Sequence, residues 1–139
     1  PTDEDDKEVL HATVRWLEAL QWGRELPLAP LRGDLTVEHI LPLRPDALWT
    51  NDFPDRAMRE RLARLIGNLC LLQRTENQVT AGNRTYADKR HVLRAAGREL
   101  HMPKDCAKAD RWTPQVIQSR TTALRDQAWK AMNLPPRPN

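Results

Sequence analysis

Val37-Glu38-His39-Ile40-Leu41-Pro42 is the stretch from which the rest of the chain is read. Leu35 to Leu41 is a short apolar run with β-branched Thr36, Val37 and Ile40, which predicts a strand stopped by Pro42 and Pro45. A second run, Asn68 to Gln73 (NLCLLQ), directly follows Gly67 and predicts a second strand. An acid, a histidine and two asparagines (Glu38, His39, Asn68, Asn77) therefore fall on two strands and the turn after the second. A paired acid and base beside amide ligands is what metal-assisted phosphodiester hydrolysis needs.

Working outward, residues 3–22 predict a helix. Thr2 and Asp5 suit a capping box, and Leu10, Val14, Leu17 and Gln21, widened by Val9 and Leu20, mark its inner face. Trp16 and Trp22 belong at the core edge. Pro27, Pro30 and Gly33 make 23–34 a connector, and 43–54 reads as a loop anchored by Trp49 and Phe53. Asp55 to Ile66 predicts a helix with Pro54 in its first turn, Met58, Leu62, Leu65 and Ile66 inward, and Gly67 as its cap. Its Arg56, Arg59, Arg61 and Arg64 read as a solvated face.

Residues 74–83 read as a polar turn. A helix follows over about 84–100, with Tyr86, Val92, Leu93, Ala96 and Leu100 inward, and then a linker over 101–110 containing Pro103. Thr113-Pro114 caps and starts a last helix over 113–133, with Val116, Ile117, Leu124 and Ala128 as its stripe. Trp112 and Trp129 bracket it, and 134–139 is a frayed tail. The expected fold is α+β and mostly helical: a single domain over 1–139 with a core at about 35–100. Two strands alone are marginal, so helices must cover them.

The 139 residues suffice for one modest core. No apolar run approaches the ~20 residues of a membrane helix, and the acidic N-terminus is not a signal peptide. No membrane is expected, and the missing initiating Met suggests a domain cut from a longer protein. Cys70 and Cys106 form no CxxC pair, which argues against a thiolate zinc site. Two reduced thiols in a cytoplasmic protein are the plain reading, with one disulfide left open. The net charge of +3 hides an asymmetry. Residues 1–30 carry seven acids and three bases, residues 31–139 carry twelve acids and nineteen bases, and Arg supplies 17 of all 22 bases. Arg forks bind phosphate bidentately, which points to nucleic acid, although a GC-rich genome would enrich Arg as well.

His39 can take a proton from water near neutral pH, or can be a histidine bonded inside a strand. His11, His91 and His101 read as structural or surface residues. Strand neighbours point to opposite faces, so Glu38 and His39 share a site only where the strand ends or bends, as Pro42 makes plausible. Glu38 offers a hard oxygen to Mg²⁺ and Asn77 a neutral amide oxygen, whereas Asn68 could tie down the turn.

Glu38-His39, Asn68 and Asn77 resemble the acid-His…Asn…Asn/His series of the HNH, or ββα-metal, nucleases. VEHILP, Trp49, IGNLCLL and the series Asn77, Asn83, Tyr86, Lys89 look more narrowly like the C-terminal nuclease domain of GmrSD-type modification-dependent restriction enzymes. RWTPQVIQSRTTALRDQAW is similar to that family's closing helix.

The resemblance implies a ββα-metal core of two antiparallel strands and a helix in a bacterial DNA endonuclease. It makes His39 the general base, Glu38 and Asn77 the ligands of one Mg²⁺ or Mn²⁺, and Asn68 the organiser of the metal loop, counted with the catalytic set. Lys89 and, less directly, Asn83 would contact the DNA phosphates. Glu38 departs from the Asp of many HNH nucleases. Such domains follow an N-terminal nucleotide-hydrolysing sensor, a layout shared by phosphorothioate-sensing phage-defence effectors of the SspE type. Nicking of DNA is the expected activity. The competing expectations are a catalytically inactive nucleic-acid-binding module of the same fold and a protein-interaction domain.

Overall fold

The computed structural model describes residues 3–22, 35–80, 84–133 and 135, with residues 78–80 described for their backbone alone. They form α1 (Asp3–Trp22), β1 (Leu35–His39), α2 (Arg56–Ala63), β2 (Leu69–Gln73), α3 (Arg74–Thr80), α4 (Tyr86–Ala96), α5 (His101–Cys106) and α6 (Pro114–Ala131). The fold is thus the expected mostly helical α+β arrangement. The connector over 23–34, Thr2 of the capping box, Asn83 and all of the tail but Pro135 lie outside the described residues.

β1 and β2 pair antiparallel, Leu35 opposite Gln73 and His39 opposite Leu69. β2 is buried continuously from Leu69 to Leu72, so both its faces are covered, as a sheet this small requires. Val14 and Leu17 of α1, Leu93 of α4, Met102 of α5 and Ile117 of α6 complete the core together with Phe53, Leu62 and Trp112. Trp49 and Phe53 anchor the loop after β1 as expected, Trp49 closing a short 3-10 turn over Ala47–Trp49. Both cysteines are free and buried.

Several boundaries differ from the expectation. The helix read over 55–66 starts one residue later, with Asp55 as its N-cap accepting from the amides of Ala57 and Met58. Pro54 therefore precedes the cap. The same helix ends at Ala63, so Gly67 does not cap it; Gly67 lies in a second 3-10 turn, Ile66–Asn68. A glycine is required there by space. A Cβ on Gly67 would lie 2.6 Å from the Thr121 amide nitrogen and would collide with the Ile117 carbonyl of α6. The Gly67 N–H donates to Thr121 Oγ1 at 3.0 Å, and Arg120 Nη1 donates to the Gly67 carbonyl. Gly67→Ala should cost about 3 kcal/mol, the upper end for overpacking, read as a lower urea midpoint at unchanged slope.

The polar turn expected over 74–83 begins instead with a helix, α3. The linker expected over 101–110 contains α5, whose N-terminus is capped from far away in sequence. The carboxylate of Glu18, fully buried on α1, accepts from the amides of His101 and Met102. Pro103 falls in the first turn, where no amide hydrogen is needed. A short polar stretch with a proline lacks intrinsic helix signal, and Glu18 supplies from outside what the stretch lacks.

Candidate active site

β1 ends at His39, and the chain bends at Ile40 and Leu41. Asn68 fixes that bend. Its Nδ2 donates to the carbonyls of Leu41 at 2.9 Å and Ala63 at 3.0 Å, while Oδ1 accepts from Leu41 N at 2.8 Å and Trp112 Nε1 at 2.9 Å. All four hydrogen-bonding positions of the amide are used, and the side chain is wholly buried. Asn68 is therefore a positioning residue, joining the end of β1, the end of α2 and the segment before α6.

Lys89 is neither a solvated lysine nor presented at the surface. On α4 it falls on the same stripe as Tyr86, Leu93 and Ala96, and it is buried with them. Its ammonium donates to Glu38 Oε1 at 2.8 Å and to the carbonyls of His39 and Ile40, each at 3.0 Å, and lies 5.8 Å from the centre of the Trp49 ring. Three acceptors take up its three protons. None remains for the phosphate contact expected of it.

Glu38 is also buried, opposite Cys70 in the sheet. Burial pushes its carboxyl up from the usual range, against the pull of the Lys89 ammonium. Thr36, two residues earlier, shares its face of β1, and Asn77 on α3 donates from Nδ2 to Thr36 Oγ1 at 2.7 Å. Glu38 and Asn77 are thus drawn to one side of the strand. His39 alternates to the other side, at the strand's last position.

Burial depresses the His39 imidazole to about 4, helped by the nearby charges of Lys89 and Arg64. The ring is consequently neutral at physiological pH and has a lone pair to accept a proton. The same shift has a stability consequence. The native state resists protonation that the unfolded chain accepts from 6.5 downward, so His39 contributes stability above pH 6.5 that is lost as pH falls towards 4. The expected loss is about 2–3 kcal/mol. Glu38, shifted upward, acts in the opposite sense. The measurement is therefore the difference between wild type and His39→Gln in urea unfolding at pH 7 and pH 4.5, and an equal pH response in both would contradict it.

The donor set of Glu38 and Asn77, one carboxylate and one amide, suits a hard cation that keeps most of its water. Among the described residues no group of three or more His, Cys, Asp or Glu is placed to hold a metal. Asn83 lies outside the described residues. The sequence reading missed Trp112, Arg120 and Thr121 as supports of the site; Thr121 gave the only local hint, as a polar residue four positions from Ile117 on the α6 stripe.

A family model describing the C-terminal domain of GmrSD restriction endonucleases matches residues 3–127. The chain belongs to that family. The match runs from α1 into α6 and so includes the hairpin, α4 and the Asn68 lock. No significant match is found among curated proteins or among solved structures. Membership in the GmrSD C-terminal family gives the domain a restriction-endonuclease type of role, and hence a nuclease that acts on DNA. No helix of the described residues is long and apolar enough to cross a membrane.

Proposed function

We propose that this GmrSD C-terminal domain is a metal-dependent DNA endonuclease of the HNH type that nicks its substrate, with His39 as general base. The observation that carries the reading is the place of His39 as the last residue of β1, on a bend locked by Asn68, where burial keeps its imidazole below its usual range. His39 takes a proton from water as the water attacks phosphorus. Glu38, through the oxygen not held by Lys89, and Asn77 would hold one Mg²⁺ or Mn²⁺. Such an ion would supply charge neutralisation at the phosphate and at the leaving 3′ oxygen. Recognition of modified DNA and nucleotide hydrolysis belong, on this reading, to a sensor half N-terminal to the domain in a bacterial phage-defence protein.

The test is conversion of supercoiled plasmid to open circles in Mg²⁺ or Mn²⁺, abolished by chelator. His39→Ala should lower the rate at least ~10²-fold with DNA affinity nearly unchanged; a variant that still cuts at the wild-type rate removes His39 from the role. Glu38→Ala or Asn77→Ala should raise the metal midpoint or abolish cleavage. The contact between Lys89 and Glu38 favours a second reading, in which the ammonium takes the metal's place and the module only binds nucleic acid. Wild-type protein that binds DNA but never nicks it, whatever the metal, would select that reading.

A further inference from the structure

Away from the hairpin, a cavity of about 480 Å³ opens between the end of α4 and α5, lined by Arg94, Gly97, Arg98, Lys104, Ala107 and Lys108. Four of the six residues are cations and none is an acid. Lys108 lies 3.8 Å from Asp105, which also holds Arg120 at 2.9 Å. Arg94, Arg98 and Lys104 make no ion pair among the described residues.

The fold forces these charges together. Gly97 ends α4, and a Cβ there would lie 2.8 Å from the Cα of Lys104, so the two helices meet more closely than any other residue would allow. Basic residues at helix ends are ordinarily explained by the helix dipole, and that explanation falls short here. Two C-termini supply about one negative charge between them. Asp105 adds one more, already shared with Arg120. About two positive charges remain in excess in a concave site, where their repulsion works against the fold unless an anion is supplied.

We propose that this groove is a second docking surface for the DNA backbone, holding phosphodiesters away from the one that is cut. It rests on the nuclease reading for the identity of the polyanion. Lys89 and the end of α4 are separated by about 10 Å of helix axis at 1.5 Å per residue. The groove is thus set apart from the hairpin along α4. The groove offers point charges and Arg forks without a base-reading face, so the contact carries affinity and register but no sequence information.

The experiment is a salt titration of DNA binding by the whole domain, with a short fluorescent duplex and chelator present. For Arg98→Ala/Lys104→Ala, both exposed positions, the slope of log affinity against log salt should become shallower by about 2, close to one unit per lost contact. Low-salt affinity should fall ~10–100-fold while metal-dependent nicking at saturating DNA stays within about twofold, the register being held by the remaining contacts. Identical slopes and affinities for the variant and wild type would overturn the groove and leave the nuclease standing. Groove-dependent binding without cleavage under any metal would do the reverse. If inorganic phosphate raises the wild-type melting temperature through these residues while DNA affinity ignores the substitutions, the groove is a small-anion site and the proposal fails. A wild-type domain that binds no DNA overturns both readings.

Discussion

Lys89→Met should destabilise the domain by about 3–5 kcal/mol, the range for breaking a buried ion pair by removing one partner. The substitution nearly conserves volume, so packing contributes little of this. What remains is a buried Glu38 carboxylate and two carbonyls, of His39 and Ile40, stripped of their donor. Cleavage should fall with it, because the same ammonium fixes the strand end that carries His39. DNA affinity and its salt slope should stay near wild type, since the side chain is only 2% exposed. Glu38→Gln on top of Lys89→Met should recover part of the lost stability by removing the orphaned charge. The decisive result against this account is a Lys89→Met protein as stable as wild type but weaker on DNA; the lysine would then belong to the phosphate.

Asn68→Ala should be comparably severe, about 4 kcal/mol. It leaves the Leu41 amide, the Trp112 indole N–H and the carbonyls of Leu41 and Ala63 without partners inside the core, each at roughly 1–3 kcal/mol before water relaxes into the gap. Asn68→Asp tests the lock more finely. It preserves shape but replaces two donors by an acceptor facing two carbonyls, so it should lose nearly as much. Thermal unfolding of both variants checks this; a near-neutral Asn68→Asp would mean that the bend is held by something other than the amide.

The hairpin, the α1 stripe apart from Val9, which is exposed, and the start of α6 were legible because each is announced locally, by β-branched residues, by 3.6-residue periodicity and by Thr113-Pro114. The chemistry and spacing of the candidate residues are likewise sequence properties. The partners were hidden. Lys89 looked available because lysine is usually solvated, yet its spacing from Tyr86, Leu93 and Ala96 already placed it on the inward face, where it had to find an acid. α5 was unreadable in its own letters, since its cap is Glu18, more than eighty positions earlier. Gly67 was identified as a special residue for the wrong reason: its role is to let α6 pass, and only the three-dimensional neighbour reveals that.

The Asn68 amide takes its partners from residues 41, 63 and 112, and Gly67 beside it is held by Arg120 and Thr121. These contacts close long loops, so they form late relative to the local helices. On a chain emerging from the ribosome, the His39 bend cannot acquire its full set of supports until the start of α6 has been made. The strand end that carries His39, whose lock is encoded near the C-terminus of the domain, thus stays unassembled through most of its own synthesis.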